Sequence, residues 1–485
     1  MHHQPILTHQ PRLKVLNRQQ VLAIHTAALE ILEKTGVKME HEGARQMLVD
    51  AGARLFDGDW VRVPAYLAEQ ALQTAPRRIM LYDQNGAKAM DLRDDHFYFG
   101  TGSDTTFTLD LESGARRQCV LGDTGRFARL VDGLANIDFA MSMSNPQDIP
   151  KVEFIYVYTF AEMLKNTNKP IVFIADRKAD MALVHELACL VTGGEENLRQ
   201  RPFLLNYSEA ISPLRFPSHV VDRLIFCAEK QIPICLPSGT NAGGGAPITL
   251  AGAMALGIAE NLVGLIIHQL TRPGAPFLFG PNVSALDMKS TVVSYGCPEW
   301  SLTQAALADM RDELYGLPIW SFGGASDSKT VDAQAGAEAM FSITTAMLSR
   351  CNLIHDVGYL EYGNTSSLEM VTIANELIAM ARHFTNGIPV NDDTLALDAL
   401  DRVKAAGTKG IFLTDDHTFD HFESSLFLPH LIDRSRFDTW QAEGGKDLYR
   451  RSNDRARQIL AEHQLHPEMD ETLAKEIDQR LQALS

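Results

Sequence analysis

The stretch N-L-I-H-D-V-G-Y-L-E-Y-G-N-T-S-S-L-E-M, residues 352–370, decides the fold. Asn352 to Val357 form a short apolar run with His355 and Asp356 at its carboxyl end, and Gly358 breaks it. Tyr359 and Tyr362 follow in a loop of Gly, Asn, Thr and Ser, and a helical pattern begins near Leu368. An apolar strand, polar residues at its end, a loop and then a helix make one βα unit whose chemistry sits at the carboxyl end of the strand.

The rest of the chain repeats that grammar. Upstream lie F-Y-F-G-T-G-S-D (97–104), F-A-M-S-M-S-N-P (139–146), P-I-V-F-I-A-D (170–176) and F-L-L-N-Y-S-E (203–209). P-I-C-L-P-S-G (233–239), P-F-L-F-G-P-N (276–282) and P-I-W-S-F-G-G (318–324) follow, so that with 353–358 there are eight runs. They recur at roughly 30 to 43 residues, the length of a strand plus its return helix. Eight such units, about 260 residues in all, predict a closed (β/α)8 TIM barrel. An open doubly wound sheet would call for a glycine-rich dinucleotide loop after the first strand. G-T-G-S-D-T-T-F-T carries only the first two glycines of such a loop, and no helix starts there.

Three segments follow: an α+β cover over residues 1–95, the barrel over 96–385, and a helical extension over 386–485. The cover is expected on the barrel floor or in an oligomer contact. The apolar stretch around 251–270 contains Glu260, Asn261 and His268 and is read as a buried helix rather than a membrane span.

Composition narrows the function. A net charge of −17 over 485 residues argues against a nucleic-acid surface. Six cysteines are scattered singly with no C-x-x-C, as expected of reduced thiols in a cytoplasmic protein. The first residues, M-H-H-Q-P-I-L-T-H-Q, hold no apolar signal core. His417 and His421 stand at i, i+4, but Thr418 occupies the place of the metalloprotease glutamate, so no metal is predicted there and the helix is expected to pack a polar face on the barrel. A metal-dependent barrel hydrolase would typically carry H-x-H, and none occurs.

Chemical candidates sit at the strand ends. Tyr98, Phe99 and Asp104 offer themselves first, although Asp104 could equally serve a tight turn. Asn206, Tyr207 and Glu209 end another run, where a solvent-facing strand end is the simpler reading. The glycines of L-P-S-G-T-N-A-G-G-G-A-P (236–247) precede a helix and could cradle a phosphate, though without the G-K-[ST] of a nucleotide loop. Phe322 lies in the run before S-F-G-G-A-S-D-S-K, and His355, Tyr359 and Tyr362 complete the set. A histidine at a barrel strand end is a stronger functional candidate than one on a helix face.

G-G-G-A-P-I-T-L-A-G, Q-L-T-R-P-G-A-P, G-C-P-E-W-S-L, G-G-A-S-D-S-K-T-V-D-A-Q-A-G-A-E and H-D-V-G-Y-L-E together resemble the trimethylamine methyltransferase superfamily, from about residue 17 to the C-terminal helices. Founding members of that family read an amber codon as pyrrolysine. The slot falls in the G-x-S-D-x-K region, where this chain has Ala325. The chain thus looks like the non-pyrrolysine branch, whose best-known activity is glycine betaine:corrinoid methyl transfer. The resemblance implies Asp104 and His355 as catalytic residues, the barrel fold, and homo-oligomers.

The missing pyrrolysine has a chemical consequence. A quaternary ammonium already holds a neutral tertiary amine as leaving group, so Co(I) can attack its methyl without a general acid. The site then needs only to hold the cation desolvated, with one methyl facing the cobalt. Aromatic faces suit N-methylated cations, and Tyr98, Phe99, Tyr207, Trp320, Phe322, Tyr359 and Tyr362 lie near strand ends. His355 is the expected donor to a betaine carboxylate, with Asp104 offsetting the ammonium charge or orienting His355. The chain lacks the D-x-H-x-x-G signature of a corrinoid module, so the corrinoid is expected on a separate partner docked at the barrel mouth, framed by the C-terminal helices. Proline betaine, carnitine and choline stand beside glycine betaine as substrates, and a non-catalytic betaine-binding barrel is the other class.

Overall fold

Leu353 and Ile354 pair in parallel with Tyr98 and Phe99, and that pairing shuts a ring of strands. The computed structural model describes residues 9–484. The first eight residues, most of the stretch read as lacking a signal core, lie outside the described residues.

The ring runs in chain order. Strand β1 (Tyr98–Phe99) meets β2 (139–140) through Gly100 and Phe139, and β2 meets β3 (Ile171–Phe173) through Ala140 and Ile171. Strands β4 (Leu204–Tyr207), β5 (Ile234–Cys235) and β6 (Phe277–Leu278) add on in register, all parallel. Phe279 bridges to Ile319 just before β7 (Trp320–Phe322), and β7 pairs with β8 (Leu353–His355). Every neighbour is consecutive and parallel, so the predicted (β/α)8 barrel is present and closed. The return helices are α1 (Leu121–Asp132), α2 (Ile155–Asn166), α3 (Lys178–Thr192), α4 (Ser218–Lys230), α5 (Leu250–Thr271), α6 (Pro298–Met310), α7 (Ala333–Leu348) and α8 (Leu368–Thr385).

Side chains alternate along each strand, so every second residue enters the barrel. Val172, Leu205, Cys235, Leu278, Trp320 and Leu353 form one interior layer with Phe139 and Met141. The hairpin Ile79–Tyr82 and Lys88–Leu92 closes the layer from below with Ile79, Leu81, Met90 and Leu92. Asn352 ties that floor together. Its Oδ1 accepts from Ile319 N at 3.0 Å, and its Nδ2 donates to Asp94 O at 3.0 Å and His96 O at 2.9 Å.

Among the described residues of the amino-terminal segment, this hairpin is what plugs the floor. Helices Arg18–Glu30 and Ala65–Thr74 instead pack along α5, and strand Val37–Met39 pairs with Arg215–Phe216 beyond β4. That cover explains how an all-round apolar helix survives in this fold. Helix α5 is long and apolar enough to cross a membrane by length and composition, yet 83% of its most apolar window is buried. Its polar residues are stapled to the loops above. Glu260 accepts from Leu214 N at 2.6 Å and Ser212 Oγ at 2.7 Å, and Asn261 Oδ1 accepts from Gly280 N at 3.1 Å.

Beyond α8 the chain divides. Helix Leu448–Glu462 packs on α8 and α1, and Glu471–Gln482 packs on α2 and α3. The stretch between α8 and Leu448–Glu462 is mostly exposed and is tied to α8 where Glu376 accepts from His430 N and Leu431 N at 2.8 and 2.9 Å. Helix Asp416–Ser425, with His417 and His421, buries no residue, so the expected polar face packed on the barrel is absent. The His pair instead faces Asp393: His421 Nε2 lies 3.4 Å from its carboxyl and His417 Nε2 3.3 Å from its carbonyl oxygen.

Candidate active site

At the carboxyl ends of the strands the interior turns polar. Two residues above the apolar layer on each strand come Tyr207 from β4 and His355 from β8, beside Trp320 of β7. Their rings form one cluster, with centroids 4.4 Å apart for Trp320 and His355, 5.4 Å for Tyr207 and Trp320, and 5.9 Å for Tyr207 and His355.

His355 is held at both nitrogens. Nδ1 stands 2.7 Å from the carbonyl oxygen of Ser321, which can only accept, so Nδ1 carries the proton. Nε2 stands 3.2 Å from Asp356 Oδ2. Both side chains are almost fully enclosed. Burial lowers the imidazole pKa to about 3 and raises the Asp356 carboxyl well above its ordinary value. Burial thus disfavours the charged form of each group. Asp356 sits at φ 73°, a left-handed conformation that costs energy and turns its carboxyl back towards its neighbour.

The G-T-G-S-D turn packs against this pair. A Cβ on Gly102 would lie 2.5 Å from Asp356 Oδ1 and would overlap the Tyr359 ring, so only glycine fits. Tyr359 donates its hydroxyl to the carbonyl of Ser103, which fixes the residue before Asp104. Asp104 adopts φ 60°. Burial pushes its pKa up to about 7, aided by the charges of Glu209 and Asp176. Glu209 accepts the Tyr207 hydroxyl; burial raises its pKa and that bond opposes the rise. Its side chain stays exposed to solvent.

Tyr295 from the β6–α6 loop and Trp300 from the first turn of α6 complete the wall. The Tyr295 ring lies 6.0 Å from Tyr359 and 4.6 Å from Trp300, and Trp300 stacks on Phe322 at 4.0 Å. Two small lip sheets stiffen the rim. One joins Phe107–Leu109, Arg116–Gln118, Tyr359–Leu360 and Thr365–Ser366; the other joins Asn241–Ala242, Ser284–Leu286 and Val293–Ser294.

Asp104, His355, Tyr207, Glu209 and Tyr359 thus come together, and Phe322 backs the wall. Three expected lining residues do not. Tyr98 belongs to the floor, where its hydroxyl accepts from Asp91 N at 3.0 Å. Phe99 and Asn206 have the opposite strand parity and face the helices; Asn206 donates to Phe173 O at 3.2 Å. Tyr362 stands on the rim, 36% exposed. Ala325 is fully buried in the main hydrophobic core, outside that interior layer, and presents no reactive group. Asp104 makes no hydrogen bond to His355 among those of the described residues; Asp356 orients the imidazole instead. With its Nδ1 proton committed to Ser321 O, His355 has no free donor for a carboxylate. The glycine loop does not cradle an anion either, since the amides of Gly243, Gly244 and Ala246 bond within the loop. Tyr295, in a long loop, and Trp300, in the first turn of α6, escaped the sequence reading because both sit away from the strand ends of the ring. Asp176 closed one of the quoted runs and was legible by the same grammar.

Residues 1–484 match the profile described as trimethylamine methyltransferase (MTTB). The chain belongs to this family. It is 32% identical over 451 residues to "Trimethylamine methyltransferase MttB" of Desulfitobacterium hafniense (strain DSM 10664 / DCB-2), covering 93% of this chain and 90% of the relative. It is 32% identical over 479 residues to "Glycine betaine methyltransferase" of Desulfitobacterium hafniense (strain Y51), covering 97% and 98%. In fold it is similar to the crystal structure of the Methanosarcina barkeri monomethylamine methyltransferase, with TM-score 0.52 at 11% identity over 93% of this chain and 88% of that one. Membership makes this MTTB-family chain a methyltransferase, as the motifs from Gly243 to Glu361 implied.

Proposed function

We propose that the chain moves a methyl group from a quaternary amine to the Co(I) corrinoid of a separate partner protein, releasing the tertiary amine. The C–N bond breaks with its electron pair going to nitrogen, and the methyl carbon bonds to cobalt, which goes from Co(I) to Co(III). The docked corrinoid supplies the nucleophile; the chain's own residues bind and orient the cation and keep water from it.

One observation carries this reading: aromatic rings and carboxyl groups converge in the mouth of a closed barrel. Tyr207, Tyr295, Tyr359 and Trp320 offer π faces to a methylated ammonium. Asp104 and Glu209 offer the compensating charge, and a bound cation favours their ionised forms. No acid is required of the protein, because the leaving group departs neutral. This fits Ala325 in the slot where the family's founding members use pyrrolysine. Glycine betaine is the first substrate to test, supported by the relative of that name; proline betaine, carnitine and choline are the alternatives.

The test is methyl-cobalt formation. Purified protein is mixed with Co(I) cobalamin and each quaternary amine in turn, and absorbance and demethylated product are followed. Turnover of trimethylamine alone, or binding of betaines without product, would overturn the reading.

A further inference from the structure

The segment 324–329, between β7 and α7, is tied to two tyrosines that meet at one corner of the mouth. Ser326 N donates to Tyr359 O at 2.9 Å. Next to it, the half-buried Asp327 carboxylate gathers three donors from the loop that carries Tyr295. Oδ1 accepts from Tyr295 N at 2.8 Å, and Oδ2 accepts from Gly296 N at 3.1 Å and from the Ser294 hydroxyl. Asp327 is held from behind in turn. Its N–H donates to Glu338 Oε2 at 2.8 Å, and that oxygen also accepts Ser326 Oγ at 2.6 Å. Glu338 belongs to α7, so the chain of bonds is anchored on a barrel helix. The loop has no slack here: a Cβ on Gly296 would lie 2.3 Å from Glu338 Cδ.

This clamp sets the place of a ring. Tyr295 meets Tyr359 at 6.0 Å between centroids and 63° between planes, so the two rings make a corner and not a stack. Gly363, at φ 83°, brings the rim against the same ring, where a Cβ would lie 3.0 Å from Tyr295 Cζ. Burial raises the Tyr295 hydroxyl pKa well above its ordinary value, so the ring stays an uncharged π face.

We propose that Asp327 is a positioning residue that holds Tyr295 against Tyr359 and so builds the two-ring corner that receives the methylated ammonium. The inference rests on the cation-binding reading above and extends it to a residue that touches no substrate. A carboxylate suits the task, because its two oxygens offer about four acceptor sites and take all three donors at once. Two of those donors are the successive backbone amides of residues 295 and 296, so the carboxylate fixes the peptide from which the ring springs.

A double-mutant cycle on binding tests it, read by calorimetric titration of the full chain with glycine betaine and with tetramethylammonium. Asp327→Ala is expected to bind both cations about 2- to 30-fold more weakly, the range of a lost cation–π contact. In a Tyr295→Leu background the same change is expected to alter affinity by less than about 2-fold, because the ring it positions is gone. Asp327→Asn keeps the shape of the side chain, which guards against an alanine variant that fails to fold. Whichever way its amide turns, the nitrogen faces a backbone N–H, so affinity falls in the same direction. Hydrogen exchange reads the clamp itself: the amides of Tyr295 and Gly296 are expected to exchange about 10-fold faster or more in Asp327→Ala. Parental affinity in both Asp327 variants, an equal loss with and without the Tyr295 ring, or unchanged exchange at the two amides overturns the inference alone. A parent that binds neither cation overturns the cation reading, and this inference with it.

Discussion

Asp356 Oδ2 stands 3.2 Å from Nε2 of His355, its own neighbour in the chain. Adjacent residues on a strand point to opposite faces. The left-handed turn at Asp356, φ 73°, is what swings its carboxyl back to the imidazole. With Nδ1 committed to Ser321 O, the ring is locked in one tautomer and one orientation.

The neutral state of the pair makes a sharp prediction. If the uncharged acid is the form that sits beside Nε2, the neutral amide of Asp356→Asn can take its place, and asparagine tolerates the left-handed backbone. Methyl transfer by Asp356→Asn is expected to fall by no more than about 10-fold. Asp356→Ala is expected to lose roughly 100-fold through a misplaced imidazole. A large loss in Asp356→Asn would mean that the pair is an imidazolium and a carboxylate. Steady-state methyl-cobalt formation separates the two.

Asp104 links pH to both stability and binding. Its pKa is about 7 in the fold, against about 3.9 in an unfolded chain. The fold therefore favours the neutral acid. That stability is fully present below about pH 4 and is lost progressively as the pH rises to about 7. Asp104→Asn removes the effect, so its Tm is expected to exceed the parent's at pH 8 and to match it near pH 4. A bound cation reverses the preference. Affinity for the quaternary amine should rise with pH through about 7 in the parent, while the variant binds weakly and shows no such dependence. Calorimetric titration across that range checks both.

Gly102 is predicted to accept no side chain. The Cβ of Gly102→Ala would press on the Tyr359 ring and the Asp356 carboxyl. Overpacking of this kind costs about 1–3 kcal/mol, and the displaced Asp356 should cut methyl transfer by roughly 100-fold. A variant with parental Tm and parental rate would show that the turn has room to move.

Tyr207 contributes a π face and a hydroxyl. Tyr207→Phe keeps the ring but removes the donor to Glu209, whose pKa should then rise further. Tyr207→Leu removes both, and its affinity for a quaternary ammonium should fall by about 2- to 30-fold, the range of about 0.5 to 2 kcal/mol for a cation–π contact. Equilibrium binding at pH 8 measures it. Equal affinity in Tyr207→Leu and the parent would take Tyr207 out of the site.

Glu260 tests the staple between α5 and the loops above it. Glu260→Ala leaves Leu214 N and Ser212 Oγ buried without their acceptor. The expected loss is about 2–4 kcal/mol of stability, since unmatched buried donors cost about 1–3 kcal/mol each. Urea unfolding reads it directly.

The sequence by itself determined the eight strand–helix units, because apolar runs ending in polar residues at a βα spacing leave one simple architecture. It also placed Asp104 and His355 at strand ends, and the family resemblance singled them out. Tertiary structure alone decided which side chains face the cavity. Tyr98 and Phe99 are both aromatic and adjacent, and on a two-residue strand no alternation can say which one points inward. Closure itself rests on single bridges, Gly100 to Phe139 and Phe279 to Ile319, whose register is a property of the assembled ring. Tyr295 reaches the mouth only because its loop folds over β7. The exposure of the apolar side chains from 388 to 428 is likewise a tertiary fact, since α8 carries that stretch past the floor.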